Sequence, residues 1–156
     1  MMKIGMIVAV EINAVLNKLG RPVQELQFTG HLVYQYKLGQ HDLFVIHSGA
    51  GVVAAAMSTQ FLITQFNLDL IVNFGVAGGL TPEMKLGESC VVESVIHYDF
   101  DLSGVRRYEV GRYPEYPSRY IPATKELVGL ATELEPSLGK VVCASGDKFI
   151  ATREQR

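Results

Sequence analysis

The stretch Leu68-Asp69-Leu70-Ile71-Val72-Asn73-Phe74-Gly75-Val76-Ala77-Gly78-Gly79-Leu80 decides the fold. Its apolar first half, Leu68 to Val72, is too short for a stable helix and reads as a buried parallel strand. The glycine-dense second half, Asn73 to Leu80, is the turn that ends it. Glycine permits positive φ and close backbone approach, and ligands in open α/β sheets sit at the carboxyl ends of strands. A small-molecule site is therefore expected near Gly75 to Gly79.

Working outward, the periodicity alternates between strand and helix. Ile4 to Val10 is a continuous apolar run and predicts a buried strand, followed by a short helix over Ala14 to Leu19 that stops at Gly20-Arg21-Pro22. His31 to His47 predicts a hairpin, with Leu32, Tyr34, Tyr36 and Leu38 alternating, a turn at Gly39-Gln40-His41-Asp42, and a return through Leu43-Phe44-Val45-Ile46. After Ser48-Gly49-Ala50-Gly51, Val52 to Phe66 is rich in helix formers and sets Val53, Ala56, Met57 and Phe61 toward one face. Beyond the glycine turn, Thr81 to Gly87 is a loop and Ser89 to Ile96 a strand that ends at His97-Tyr98-Asp99-Phe100-Asp101. Ser103 to Pro122, with Pro114, Pro117 and Pro122, reads as a long loop. Thr124 to Glu133 predicts a helix capped by Thr124, and Val141 to Ala144 a last strand ending at Ser145-Gly146-Asp147. This alternation predicts an α/β protein.

Composition narrows the function classes. A chain of 156 residues, 48% hydrophobic and 19% charged, suits one globular domain with a sizeable core. A net charge of −2 and no basic stripe give no reason to expect nucleic acid as a partner. Cys90 and Cys143 lie in apolar runs without metal or disulfide spacing, so both are expected to be buried free thiols. The amino-terminal run has neither the length of a membrane span nor the pattern of a secretion signal, which predicts a soluble, cytoplasmic protein. Phe149 to Arg156 looks like a loop entering a helix that does not follow, so a chain truncated at its carboxyl end is expected.

Taken together, Met2 to Glu11, Ser48-Gly49-Ala50-Gly51, Asn73 to Leu80, Lys85-Leu86-Gly87-Glu88, His97-Tyr98-Asp99-Phe100-Asp101 and Ser145 to Ile150 resemble, in order and approximate spacing, the 5′-methylthioadenosine/S-adenosylhomocysteine nucleosidases of the nucleoside phosphorylase superfamily. The resemblance implies a three-layer α/β/α fold around a mixed, partly barrel-like sheet, usually in a homodimer. It implies hydrolysis of the N-glycosidic bond of an adenine nucleoside by water, with no metal or organic cofactor. Such a cleavage builds positive charge on the sugar and negative charge on the purine. The site therefore needs a polar group for water, an acid for the base and contacts to the ribose. In the family a carboxylate after the first strand helps activate the water, while a Met-Glu pair for the ribose and a Ser-Asp pair for the purine come from sequence after the part matched here.

The resemblance also nominates individual residues. A gapless alignment from Met2 puts Asn13 at the position of the catalytic carboxylate, whereas a two-residue deletion brings Glu11 there; the gapless form is favoured because Ile7-Val8-Ala9 matches without forcing. In that form Glu11 is a surface carboxylate near a helix N-terminus. Ala9, Ala50, Val76, Ala77 and Gly78 are implied to line the substrate site, and Phe149 and Ile150 to flank the base, with Phe149 stacking on adenine or else lying in the core. Val52 stands where a Lys is frequent, and Asp147 reads as a turn residue. His97, Asp99 and Asp101 form too weak a set for a metal and read as residues that shape a loop. Ser48 has no partners for a triad and reads as a turn hydrogen-bonder. Two other functions stay open: a phosphorylase, which would need arginines aimed at phosphate where this chain offers Arg106, Arg107, Arg112 and Arg119, and a non-catalytic nucleoside-binding protein.

Overall fold

A computed structural model describes residues 1–28 and 30–155. The chain divides into two compact units, Met1–Ala77 and a second that begins at Gly78.

The first unit holds strand β1 (Lys3–Val8), helix α1 (Ile12–Leu19), strands β2 (Gln24–Phe28), β3 (His31–Leu38) and β4 (His41–His47), helix α2 (Val52–Phe66) and strand β5 (Leu70–Phe74). The sheet order is β2-β3-β4-β1-β5. β4, β1 and β5 run parallel, with Ile7 beside Ile46 and Asn73, while β2 and β3 are antiparallel. The sheet is thus mixed, and the carboxyl ends of its three parallel strands fall side by side.

Strand alternation sends successive side chains to opposite faces, and this sorts the core into two. Ile7, Val33, Phe44 and Ile46 pack with Leu62 of α2, extended by Phe28, Phe61 and Phe66. Val8, Tyr36, Leu43 and Val45 pack with Val15 of α1 and with Ile12, Leu16 and Leu19. Each helix therefore covers one face of the sheet, giving three layers within this unit. Gly5 leaves room for Leu68, which follows α2, and for Leu62 of α2, since a Cβ there would lie 2.4 Å from Leu68 Cδ1 and 3.2 Å from Leu62 Cδ1. α2 has the bounds expected of it but a different inward face. Ser58 and Leu62 are buried, whereas Val53 and Met57 are exposed, because the aromatic cluster sits against the later turns of the helix. β2 has no counterpart in the sequence reading: of its residues only Leu26 and Phe28 turn inward, too few to display a period.

The second unit contains strand β6 (Cys90–His97), helix α3 (Ser103–Arg106), strand β7 (Ile121–Pro122), helix α4 (Lys125–Leu134), strand β8 (Gly139–Ser145) and a 3₁₀ turn, Arg153–Gln155. Its sheet has the order β7-β6-β8, with β6 and β8 parallel. The stretch from Ser103 to Pro122 is thus not wholly a loop. α3 follows Asp101, whose carboxylate accepts the Ser103 N–H at 2.8 Å, and β7 pairs with β6 through Ile121 and Val95. Thr124 takes the N-cap position of α4 without a side-chain cap bond. Both cysteines are free, but Cys90 is exposed and Cys143 half-buried, contrary to the burial expected, because Cys90 begins its strand beside Gly139. Burial and the neighbouring Cys90 push the Cys143 thiol up.

Candidate active site

Parallel strands end together, and the loops that leave them converge. At that end of the first unit stand Ala9 and Glu11 after β1, Ser48 to Gly51 after β4, and Gly75 to Ala77 after β5. Ser48 fastens the β4 exit to β1: its N–H donates to the Val8 carbonyl at 2.9 Å, and its hydroxyl reaches the Val8 and Gly49 carbonyls. This is the turn-bonding role expected of it. Gly49 and Gly51 have φ of 78° and 101°, in the left-handed region that glycine allows.

Glu11 joins the other two exits. One carboxylate oxygen accepts the Val76 N–H at 3.0 Å and the other accepts the Val10 N–H at 3.1 Å. The Val76 N–H is the main reason that the Glu11 carboxyl is held below the usual carboxylate range, so it is ionised at neutral pH. Glu11 also occupies the N-cap position of α1, yet its side chain makes no cap bond and turns to the glycine turn instead. Glu11 thus stands near the helix end, as expected, with its carboxylate on the Val10 and Val76 N–H groups. Gly75 is needed for space rather than for a left-handed φ: a Cβ there would lie 3.2 Å from the Glu11 carboxylate.

The remaining nominated residues sort by surroundings. Asn13 lies exposed in the first turn of α1, while Ala9 is half-buried just after β1. Ala50, Val76 and Ala77 are exposed, Val76 at 83%. In the second unit Gly78 is exposed and Ile150 half-buried. Phe149 is 89% exposed, which excludes it from the core of that unit.

The second unit has its own bonded cluster at the carboxyl ends of β6 and β8. Asp99 accepts the Asp147 N–H at 2.9 Å on one oxygen and meets His97 Nε2 at 2.9 Å on the other. His97 Nδ1 lies 2.6 Å from the Tyr113 hydroxyl, and Phe100 stacks on Tyr113 at 4.1 Å between ring centres. Asp101 instead turns to the Ser103 N–H, so His97, Asp99 and Asp101 do not converge. Among the described residues no group of three or more His, Cys, Asp or Glu side chains is placed to hold a metal ion. Tyr113 was not legible in the sequence, since it reaches His97 from a segment without period. Of the loop arginines, Arg112 lies over the Tyr108 ring and Arg119 over the Tyr120 ring.

Among the described residues no helix is long and apolar enough to cross a membrane. The model of the phosphorylase superfamily matches residues 3–156. The 5′-methylthioadenosine/S-adenosylhomocysteine nucleosidase of Haemophilus ducreyi is 33% identical over 99% of this chain and 68% of its own length, and that of Tolumonas auensis 33% over 96% and 66%. The chain thus spans about two thirds of the curated relatives it matches. A Helicobacter pylori mutant nucleosidase with 5′-methylthioadenosine in its active site superposes with a TM-score of 0.87 at 26% identity, covering 99% of this chain and 69% of that one. The futalosine hydrolase of the same organism gives 0.90 at 28%, covering 99% and 68%. These matches extend along the whole α/β succession, its glycine turns included, and on them the chain belongs to the phosphorylase superfamily and, within it, to the 5′-methylthioadenosine/S-adenosylhomocysteine nucleosidases.

Proposed function

We propose that the protein hydrolyses the N-glycosidic bond of 5′-methylthioadenosine, S-adenosylhomocysteine or a related adenine nucleoside, releasing adenine. The observation that carries this reading is the ionised Glu11 carboxylate, bonded to Val76 N–H beside the glycine turn at the ends of β1 and β5. Each carboxylate oxygen holds one backbone N–H and keeps a further lone pair for water. A carboxyl with a lowered pKa is a weak base but a constant negative charge. Its part is to orient the attacking water and to stabilise the positive charge that grows on the sugar, taking the water's proton as the C–O bond forms and the C–N bond breaks, while the departing purine takes its proton from the acid that the family supplies through its Ser-Asp pair. Asn13, with no charge, cannot do this.

In this reading Ala9, Ala50, Val76, Ala77 and Gly78 line the sugar and base, and Phe149 stacks on adenine with Ile150 beside it. The exposed ring of Phe149 supports that part, as a large apolar side chain open to a ligand. The reading further includes one nucleoside phosphorylase-like domain over residues 1–156, a homodimer and a cytoplasmic location. The reading takes water as the nucleophile and, as the family resemblance implies, invokes no cofactor.

The full-length protein is expected to release adenine from 5′-methylthioadenosine in phosphate-free buffer. Strict dependence on phosphate would make it a phosphorylase. Binding of the nucleoside by calorimetry without any turnover would make it a binding protein.

A further inference from the structure

The segment that carries Phe149 and Ile150 is held by residues that immediately follow β6. The Tyr98 N–H donates to the Ser145 carbonyl at 3.0 Å, the Asp147 N–H to Asp99 at 2.9 Å, and the Tyr98 hydroxyl to the Lys148 carbonyl. Of these, only the middle bond depends on a charged side chain. The Asp99 carboxylate is itself fixed from behind: His97 Nε2 lies 2.9 Å from Asp99 Oδ1, and His97 Nδ1 lies 2.6 Å from the Tyr113 hydroxyl. His97, Phe100 and Tyr113 stack, which holds the imidazole plane. Gly146 closes the arrangement, since a Cβ there would lie 2.6 Å from Asp99 Oδ1. A carboxylate seated this tightly against a backbone turn, with an aromatic and imidazole support, sets the path of the chain that leaves the strand.

We propose that Asp99 is a positioning residue for base recognition: backed by His97 and Tyr113, it fixes the Gly146–Asp147 turn and thereby the place of Phe149 and Ile150 against adenine. The inference rests on the reading of those two residues as the base-flanking pair. Asp99 acts on the affinity for the base and not on the water, so its loss raises KM and weakens adenine binding while kcat changes little.

The test is a double-mutant cycle in the full-length protein, reading adenine binding by calorimetry together with KM and kcat. Phe149→Ala is expected to weaken adenine binding by about tenfold, the range for loss of a stacked aromatic. Asp99→Ala is expected to weaken it by about tenfold, as for loss of hydrogen bonds to a charged group. The double variant is expected to bind no more weakly than Phe149→Ala alone. Asp99→Asn, which keeps an acceptor for the Asp147 N–H, should recover most of the affinity. Tyr113→Phe keeps the stacked ring and should give a smaller loss in the same direction, which keeps the proposal testable if Asp99→Ala does not fold. Additive losses, or a fall in kcat with KM unchanged, would overturn the role of Asp99. No effect of Phe149→Ala would overturn the base-flanking reading itself, and the proposal with it.

Discussion

The two units solve one structural problem with the same parts and different chemistry. In each, two parallel strands end side by side, a carboxylate follows the first, and a glycine follows the second. Glu11 after β1 takes the Val76 N–H over Gly75, and Asp99 after β6 takes the Asp147 N–H over Gly146. The second oxygen separates them. In Glu11 it takes the backbone Val10 N–H, leaving the carboxylate open to solvent chemistry, whereas in Asp99 it meets His97, which is braced by Tyr113. A carboxylate held only by backbone keeps lone pairs for water, while one locked among side chains is a structural peg. The same motif can therefore serve reaction in one unit and positioning in the other.

The units also differ in how deeply they are packed, and the largest stability effect should lie there. Among the described residues every buried apolar side chain except Val128 belongs to the first unit. Leu62→Ala, at a site with no exposure against the inner sheet face, should cost about 2–5 kcal/mol in denaturant unfolding. Val128→Ala, which removes fewer atoms from a thinner layer, should cost less. Equal costs would break the contrast between the two cores.

The glycines sharpen the comparison of the carboxylates. Gly146→Ala places its methyl against an Asp99 carboxylate that is held on both oxygens, so adenine binding by the full-length protein should weaken by about tenfold, as when charge-assisted hydrogen bonds are lost. Gly75→Ala meets Glu11 at the longer distance and at the end of a longer side chain that can shift, so its effect on binding should be smaller. The reverse order would show that Glu11 is the more rigid of the two. Smallest of all is a pH effect. Because the folded Glu11 carboxyl is lowered, its contribution to stability is complete above the ordinary carboxylate range and is lost as pH falls through the lowered value. The difference in melting temperature between the native protein and Glu11→Gln should therefore shrink with acidification below about pH 4. A difference that grows instead would contradict the lowered pKa.

Much of this was legible in the sequence where periods were long or glycine marked a strand end. The whole of α2 and the parallel strands β1 and β5 came from apolar runs that only a buried sheet explains. β2 and β7 did not, since a short edge strand has few inward residues and its pairing is settled by its neighbour. For the site, the glycine turn named the place but not the use of its glycine: Gly75 needs room for Glu11, not a left-handed backbone. Gapless alignment puts Asn13 at the carboxylate position, and spacing along the chain does not register which way a side chain leaves the strand end. Glu11 faces the turn and Asn13 solvent. The Tyr113–His97–Asp99 chain joins residues 16 apart through a stretch without period, and no local signal carries such a contact.

The most direct test of the account is adenine release from 5′-methylthioadenosine in phosphate-free buffer, compared between the full-length protein and its Glu11→Gln variant. Gln keeps an acceptor for the Val76 N–H but removes the charge, so the account predicts release by the native protein and a loss of about 10²–10⁴-fold in the variant with binding of adenine retained. Unchanged turnover in Glu11→Gln would remove Glu11 from the mechanism and contradict the account.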